Sequence, residues 1–538
     1  FVLENTYGLK RWEVGEIASK IGQLFYHYYL RTSETNYLQE SFVFYEAIRE
    51  RRYFNEILDT KSSAWMIKKL RFYARFTVVC MLLNNRDILP ALREELGSIV
   101  NEYINVYRAP DAAEWQLVLS EISSFVDSEK RLHPTNSAGA YLPVARRLVA
   151  SKAISAVLDK DTPQPTKLKL QEAIIVGSSH NQIKFSELTI DMYRMLQSLE
   201  RELPNAKGAE TSVRDSVAGA ISIAVTGGTG GNPVDPLSST SIKEEPIEET
   251  INNQRRNTEK MIKRSNPRKY LLYRPTLSQL MVYLATAFKE VASDSAMLLY
   301  LSGDGIKRPV TDASGPKGYH GGILTNSRKA ADNTDPEQQS FTHCLHPGDI
   351  LPFTRKPMFM IVDSNNSDVF SEMPRIFYPP FMSLLSPTEY PTSIPGTSPV
   401  GGLFTLFLHA PLLAFSFICE IEHISPDTWE QCNGLITQAE TKIAELLAVA
   451  TLAEKPIKRF LQDDFLRQFI IRFALCHAIL NAHVAFTEPK HMPSSYPTLP
   501  TFVLESPELL SKIRSLAILA KASCFSFEDP EAAPQPPE

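Results

Sequence analysis

The sequence predicts a multidomain protein of the α and α/β classes. Its order is a helical-hairpin, tetratricopeptide-like stack over residues 1–202, a disordered linker over 203–265, a Rossmann-like α/β unit over 266–395, C-terminal helices packed on it over 396–524, and a tail over 525–538. Apolar residues recur at helical spacing in the first and fourth segments, whereas short continuous apolar runs end in turn residues in the third. The length of 538 residues agrees with three or four domains of about 150 residues each.

The composition excludes several classes of protein. Hydrophobic residues form 43% of the chain and charged residues 22%, which excludes a collagen, a disulfide scaffold and a wholly disordered chain. The net charge of −5 excludes a histone-like polycation, so nucleic-acid contact would require a local basic patch. The six cysteines form no CxxC pair and lie in or near apolar runs, which favours buried thiols in a reducing compartment. No signal peptide is visible, but the chain begins at Phe1 and not at a methionine, so we expect it to be cut from a longer protein whose N-terminal signal could be missing.

The N-terminal segment is predicted to form a stack of helical hairpins. Its first apolar stripe shares one helical face and comprises Trp12, Ile17, Ile21, Leu24, Phe25 and Tyr28. The predicted helical pieces that follow it cover residues 37–48, 65–83, 86–107, 115–125, 142–158 and part of 166–202. Gly22 and Tyr45 resemble the small and aromatic positions of a tetratricopeptide unit, although its two halves are about two turns too far apart.

Residues 203–265 are predicted to be a mostly disordered linker, and the acidic, proline-rich residues 525–538 a disordered tail. Neither segment has a sustained apolar period. In the linker, residues 226–231 read TGGTGG and resemble a nucleotide-binding turn. An Asn-Pro pair follows, however, where a phosphate site would require a helix. No cofactor is therefore expected.

The linker and the residues just after it contain two candidate motifs. Eight basic residues between Arg255 and Arg274 are opposed only by Glu259. Seven of them form a candidate cluster for nuclear import or phosphate contact: Arg255, Arg256, Lys260, Lys263, Arg264, Arg268 and Lys269. A solvated linker is the open alternative. Upstream, Ile242-Lys243-Glu244-Glu245 has the form of a SUMO-acceptor site, which makes Lys243 a candidate acceptor, and the two motifs together favour a nuclear protein.

In the α/β unit, apolar runs over 297–301, 358–362 and 381–385 predict buried parallel strands, and residues 276–290 predict an amphipathic helix. Polar side chains surround or follow these runs, and α/β proteins place ligand sites at the carboxyl ends of parallel strands. The candidate strand-end site comprises Asp304, His346, Asp363 and Ser367. Convergence of these side chains on one pocket would indicate a ligand-binding or enzymatic domain, whereas separate turns would not.

Two short motifs near this site resemble metal sites. Residues 363–367 read DSNNS and resemble the DxSxS metal-adhesion loop of von Willebrand A domains, with Asn365 in place of the first serine. A turn capped by its own side chains is the favoured alternative.

His343, Cys344 and His346 lie within four residues, but a structural zinc site uses four ligands in two separated pairs. No catalytic or metal-binding residue is therefore assigned.

Two further segments have a functional and a structural interpretation. Residues 402–419 contain no acidic or basic side chain except His409, but Pro411 interrupts them, so a buried helix is favoured over a membrane span. Residues 68–76 interleave basic and aromatic side chains, as single-stranded nucleic-acid binders do. Their aromatic residues fall mostly on the predicted core face, so a structural role is favoured there too.

Six segments resemble the SCAI (suppressor of cancer cell invasion) family. They are YGLKRWEVGEIASKIGQLFYHYYLRTSETNYL (7–38), KFSELTIDMYRMLQSLERE (184–202), KYLLYRPTLSQL (269–280), HCLHPGDILPFTRKPMFMIVDSNNS (343–367), LLSPTEYP (384–391) and LFTLFLHAPLLAF (403–415). The resemblance covers most of the chain and is weakest at 128–170, in the linker and in the tail. The chain resembles a family member that lacks its N-terminal extension.

The resemblance implies a non-enzymatic nuclear transcriptional cofactor that is also present in the cytoplasm. It implies repression of serum-response-factor target genes through myocardin-related coactivators, downstream of Rho signalling, with inhibition of cell migration and invasion. It also implies interaction with DNA-repair proteins. Two alternatives remain open: a repair accessory protein that binds single-stranded DNA, and an α/β domain that binds a ligand or a metal and has enzymatic activity.

Overall fold

The computed structural model describes residues 8–55, 62–108, 110–149, 151–158, 167–180, 182–186, 188–202, 266–307, 319–326, 343–371, 373–374, 376–396, 399–450 and 455–525. Its α-helices are α1 (Arg11–Thr32), α2 (Thr35–Glu50), α3 (Ser63–Leu82), α4 (Leu89–Tyr107), α5 (Ala112–Leu132), α6 (Lys152–Leu158), α7 (Ile190–Ser198), α8 (Leu277–Glu290), α9 (Pro347–Ile350), α10 (Leu403–His409), α11 (Pro411–Ile418), α12 (Pro426–Ala450), α13 (Lys455–Phe460), α14 (Asp464–Ala482), α15 (Thr501–Leu504) and α16 (Pro507–Leu519). Its strands are β1 (Lys169–Gly177), β2 (Lys184–Phe185), β3 (Leu188–Thr189), β4 (Arg268–Tyr273), β5 (Ser295–Ser302), β6 (Gly305–Lys307), β7 (Gly321–Leu324), β8 (Cys344–Leu345), β9 (Met358–Asp363), β10 (Phe381–Leu385) and β11 (Ser494–Tyr496). Residues 203–265 and 526–538, predicted as linker and tail, lie outside the described residues.

Helices α1 to α5 form a layer in which each helix packs against its neighbours in sequence. Their apolar side chains meet in one core, where Tyr45 lies against Phe72 and Phe76. The helix predicted over 142–158 is wrong at its start, because residues 142–149 are not helical. Arg146 and Arg147 in this segment form salt bridges with two different acidic residues. This is possible because successive side chains of a non-helical segment can point to opposite sides.

Helix α1 buries its small residues and exposes its large apolar ones. Gly15 and Gly22 face the core, where an added Cβ would lie 2.8 Å from Tyr53 Cβ and 2.9 Å from Tyr45 Cε1, respectively. The glycines therefore let α1 approach its neighbours closely. The apolar stripe predicted from the sequence shares one side of the helix, but much of that side faces solvent.

Replacing Gly22 by alanine is expected to lower the free energy of unfolding by about 1–3 kcal/mol, because the new methyl group would overlap the ring of Tyr45. Gly434 in α12 is the matched control, since nothing lies within 4 Å of an added Cβ there. Gly434→Ala is expected to be neutral or stabilising by up to about 1 kcal/mol. Chemical denaturation of both variants measures the difference, and equal stability of the two would contradict the close packing.

Five parallel strands form most of a six-stranded sheet with the order β11-β10-β9-β5-β1-β4. Strand β11 pairs with β10 in the antiparallel sense. Taken in chain order, the parallel strands lie 2-1-3-4-5, which is one of the two common orders of doubly wound sheets. The predicted α/β class is thus confirmed, whereas its Rossmann-like and tetratricopeptide-like descriptions and the domain limits stay predictions.

Strand β1 corrects the helical prediction for residues 1–202. It contains the continuous apolar run Ala173-Ile174-Ile175-Val176, which is buried on both faces between β4 and β5. Such a run is typical of an interior parallel strand. The sheet therefore takes one of its central strands from the segment that was predicted to be wholly helical.

The two faces of the sheet belong to two different cores. Leu298 and Tyr300 of β5 face the C-terminal helices, whereas Leu299 and Leu301 face α8. This alternation gives three layers, with helices on both sides of the sheet. On the C-terminal side, Phe359 of β9 lies edge-on against Phe460, with ring centroids 5.3 Å apart.

The apolar residues 402–419 form two buried helices, α10 and α11, that break at Ala410 and Pro411. They lie in the core with the C-terminal helices, as the buried interpretation predicted. Among the described residues one helix, α14, is long and apolar enough to cross a membrane, and 78% of its apolar window is buried inside the fold. This arrangement is consistent with a core helix.

Helix α7 joins the two main cores, and all nine of its residues are buried. Its Thr189 N-cap accepts a hydrogen bond from Met192 N at 3.3 Å. Met192 and Met195 pack into the core of the sheet and C-terminal helices, whereas Tyr193 packs into the core of the N-terminal layer. Helix α7 therefore fixes the position of one core against the other.

Candidate functional site

The carboxyl edge of the sheet contains a buried pair of carboxylates. Asp363, at the end of β9, accepts hydrogen bonds from Thr405 N at 3.1 Å and from Thr405 Oγ1 at 2.6 Å. Asp191, at the start of α7, accepts bonds from Gly402 N at 3.1 and 3.0 Å. An added Cβ on Gly402 would overlap Asp363 and lie 3.0 Å from Asp191 Oδ2. The backbone of Gly402 thus packs directly against both acids.

Burial and mutual repulsion govern the protonation of this pair. Desolvation raises the pKa of Asp363 to about 7, and the carboxylate of Asp191 adds to that rise. Desolvation also raises the pKa of Asp191, although Arg194, whose Nη1 lies 3.3 Å from Asp191 Oδ1, opposes the rise. We therefore expect Asp363 to remain protonated up to near neutral pH.

The structure does not assemble the four residues of the predicted strand-end site. Asp304 accepts a hydrogen bond from His180 N at 2.7 Å, and His346 Nδ1 lies 2.9 Å from Gly321 O. Ser367 donates to Ser386 O at 2.6 Å. Each of these three side chains thus bonds to a different segment. The acidic residue next to Asp363 is Asp191, which sequence reasoning missed. Within the described residues, no group of three His, Cys, Asp or Glu side chains could hold a metal ion.

The DSNNS segment is a turn held by its own side chains. Asn365 Oδ1 accepts a hydrogen bond from Gly305 N at 2.7 Å, and Asn366 Nδ2 donates to Ile306 O at 2.7 Å. These bonds attach the small sheet of β6, β7 and β8 to the end of β9. At the positions where a metal-adhesion loop places its ligands, Asp363 Oδ2, Asn365 Oδ1 and Ser367 Oγ bond to protein groups, which favours the alternative of a capped turn.

The two described members of the predicted basic cluster lie in β4, where Arg268 is exposed and Lys269 is buried. Arg268 of β4 pairs with Glu172 and with Glu290, the latter at 3.0 Å. Lys269 is buried and lies 3.2 Å from Glu200 Oε1. An import receptor could not reach Lys269 in this position, which corrects its inclusion in the cluster. The other five members, Arg255, Arg256, Lys260, Lys263 and Arg264, and the candidate acceptor Lys243 lie outside the described residues.

Lys269 belongs to a buried ionic network around Glu200. Glu200 Oε2 accepts a bond from Arg147 Nε at 2.9 Å, and Oε1 accepts one from Tyr29. Burial lowers the pKa of Lys269, against the effect of Glu200. Burial alone would also lower the pKa of Arg147, but the Glu200 carboxylate outweighs it and raises that pKa. The network links α1, β4 and the end of α7.

The basic and aromatic residues 68–76 form part of the N-terminal core. Phe72 and Phe76 are buried, and Lys69 is buried as well. Lys68 pairs with Glu16 at 2.8 Å and lies over the ring of Trp65. Because these two phenylalanines are inside the layer, they are not available to stack with nucleic-acid bases. The structural interpretation of this segment fits the geometry.

A contiguous apolar surface lies on the outer side of α1. It comprises Ile17 (40% exposed), Ile21 (36%), Leu24 (53%) and Tyr28 (47%), and we name it the α1 face. Their spacing of four, three and four residues forms a line of about 16 Å along the helix. Tyr28 continues it to Tyr37 of α2, with ring centroids 5.6 Å apart.

Exposed apolar residues that occur singly are normal, whereas contiguous exposed apolar patches are typical of interaction sites. Sequence reasoning found this stripe but not the direction in which it faces. The available signal was the opposite side of α1, where Gly15, Ser19 and Gly22 recur at helical spacing. Such small residues allow close helix contact and so identify the buried side.

These features define a class: a multidomain α and α/β protein whose described surface includes an apolar helix face. The family model described as Protein SCAI matches residues 1–486. The chain is 39% identical to Protein SCAI of Mus musculus over 536 residues, covering 98% of this chain and 81% of the relative. It is 39% identical to Protein SCAI of Homo sapiens over 535 residues, with the same coverage of 98% and 81%. A Protein SCAI homolog of Dictyostelium discoideum is 34% identical over 636 residues, with 95% and 82% covered. The chain therefore belongs to the SCAI family.

Proposed function

We propose that this protein is a non-enzymatic nuclear transcriptional cofactor that is partly cytoplasmic. In this proposal it represses serum-response-factor target genes by binding a myocardin-related coactivator, downstream of Rho signalling, and so limits cell migration and invasion. The observation that carries the proposal is the α1 face, because four large apolar side chains in one line on a helix match a protein partner. Membership of the SCAI family supports the choice of partner.

The α1 face fits an amphipathic helix with acidic flanks. An apolar line at helical spacing pairs with the same spacing on a second helix. Glu16 beside the face is paired with both Lys20 and Lys68, at 3.1 and 2.8 Å. The charge of Glu16 is thus neutralised. Lys20 and Arg31 remain exposed near the α1 face. Acidic residues on the partner helix would therefore meet basic charge at the edge of the contact.

Ile21→Glu combined with Leu24→Glu is expected to weaken binding to a coactivator fragment about 10- to 100-fold, because two charges would be desolvated at the centre of the contact. Isothermal titration calorimetry of the purified chain at two salt concentrations measures this change. Leu117→Glu is the matched control, since Leu117 is 59% exposed on α5, away from the face, and we expect it to leave affinity unchanged. Equal affinity of the double variant and the unsubstituted chain would contradict the proposed surface.

Single-stranded DNA in place of the coactivator tests the competing function. Binding through phosphates would fall steeply between the two salt concentrations, whereas an apolar helix contact would change little. The burial of Phe72 and Phe76 supports the protein partner over DNA. DNA binding without coactivator binding would overturn the proposed mechanism.

We extend the proposal to two points that rest on the family and the sequence. The same cofactor is proposed to bind DNA-repair proteins and to enter the nucleus through the basic cluster that begins at Arg255. The sheet is proposed to be a Rossmann-like scaffold for the helical layer, whose consecutive packing supports a tetratricopeptide-like stack.

A further inference from the structure

Two cysteines that are far apart in the sequence lie next to each other in the fold. Cys419 follows α11 and Cys524 follows α16, and their Sγ atoms are 3.5 Å apart across 105 residues of chain. Both side chains are half-buried, whereas Cys80, Cys344, Cys432 and Cys476 are buried. The prediction of buried thiols thus fails for this one pair.

The backbone around the pair holds the two sulfur atoms close together. Val484 N donates to Cys524 O at 3.0 Å, and His483 forms a β-bridge with Phe525. The ring of Phe525 stacks on Phe415, with centroids 5.5 Å apart and an angle of 12° between the planes. Because a disulfide bond is about 2.05 Å long, the sulfur atoms need to approach by only about 1.5 Å.

The surroundings of the pair make the two thiols unequal. The hydrogen bond between the two thiols lowers the pKa of Cys524, and the ring of His483 lowers it further. The same hydrogen bond, together with burial, raises the pKa of Cys419. His483 Nδ1 accepts a bond from Ala485 N at 3.2 Å, which orients the ring. We therefore assign Cys524 as the thiol that reacts first and Cys419 as the resolving thiol.

We propose that Cys419 and Cys524 are a redox modification site that forms a reversible disulfide with hydrogen peroxide as the oxidant. The Cys524 thiolate attacks one peroxide oxygen, the O–O bond breaks, and a sulfenic acid and a hydroxide form. The Cys419 sulfur then attacks the Cys524 sulfur, the S–S bond forms, and water leaves with the thiol proton. In the overall reaction the two thiols together lose two electrons, and one hydrogen peroxide is reduced to two waters. The hydroxide becomes one of these waters when it takes up the proton that Cys524 released.

The disulfide would tie the segment after α16 to the end of α11. It would hold Phe525 on Phe415 and close a loop of 105 residues, which restricts the unfolded chain. In the reducing compartment that the composition favours, such a bond is transient and suits redox sensing. The site is separate from the α1 face and does not depend on the proposed function.

Mass spectrometry of the full chain tests the proposal. The reduced protein is treated with a small excess of hydrogen peroxide, alkylated and digested. We expect a peptide that links Cys419 to Cys524, the loss of two free thiols, a higher midpoint of thermal unfolding, and reversal by dithiothreitol. Recovery of both cysteines in alkylated, unlinked form would overturn the proposal, and this readout on the unsubstituted chain requires no variant to fold.

Single variants separate the roles of the two thiols. Cys419→Ser should leave a Cys524 sulfenic acid that dimedone traps, because no thiol can resolve it. Cys524→Ser should abolish the rapid reaction, and Cys432→Ser is the control that should still form the link. Dimedone labelling of Cys419 at the rate of Cys524 would contradict the assigned order of attack.

Discussion

Replacing Glu200 by glutamine is expected to lower the free energy of unfolding by about 3–5 kcal/mol. Glu200 is fully buried and accepts bonds from Arg147, Lys269 and Tyr29. Without its charge, two cations would remain in the interior with no buried anion between them. Breaking such a group costs far more than removing a surface pair, because water cannot replace the lost partner.

Guanidinium denaturation at neutral pH measures this loss. Glu505→Gln makes the same chemical exchange at an exposed position and is expected to change stability by less than about 0.5 kcal/mol. A double variant, Glu200→Gln with Lys269→Met, should lose less than the sum of its single variants, since one stranded charge is removed with the carboxylate. A loss below about 1 kcal/mol for Glu200→Gln would contradict a network that holds α1 to the sheet.

The Glu200 network shows why local sequence patterns can wrongly predict whether a charged residue is exposed or buried. Lys269 stands in a run of basic residues, and such a run predicts a solvated or receptor-bound segment. Its partner Glu200 lies on the far side of the predicted linker, so no local spacing joins the two. Strand β1 shows the same limit, because its short apolar run lies in a segment whose other apolar patterns predict helices, and its partner strands β4 and β5 are far away in the sequence.

The predictions that succeeded depended on local signals. The apolar runs of β5, β9 and β10 are continuous and end in turn residues, so the pattern alone gives buried parallel strands. The candidate sites depended on long-range contacts instead. Asp191 and Asp363 lie near each other because the start of α7 and the end of β9 both pack against Gly402. Cys419 meets Cys524 because the residues after α11 and after α16 lie together.

The buried pair of Asp191 and Asp363 is expected to make the protein less stable as the pH rises from about 4 to 8. The pKa of Asp363 is about 7 in the folded chain, above its value of 3.8 in the unfolded chain. The folded state therefore binds more protons in this window, and by linkage its stability falls as those protons leave. At 1.36 kcal/mol per pKa unit, the loss amounts to about 4 kcal/mol at most.

Asp363→Asn isolates this effect from other titrating groups, because an amide oxygen can still accept the two bonds from Thr405 and cannot ionise. We expect the variant to match the unsubstituted chain near pH 4 and to exceed its free energy of unfolding at pH 8. Urea denaturation at intervals between these limits gives both curves, and Asp304→Asn makes the same exchange outside the pair. Parallel curves for the unsubstituted chain and Asp363→Asn would mean that folding does not raise the pKa of Asp363. If the free energy of unfolding of Asp363→Asn increasingly exceeds that of the unsubstituted chain as the pH rises, then Gly402 and α10 pack on a carboxyl group that is most stable when it is uncharged.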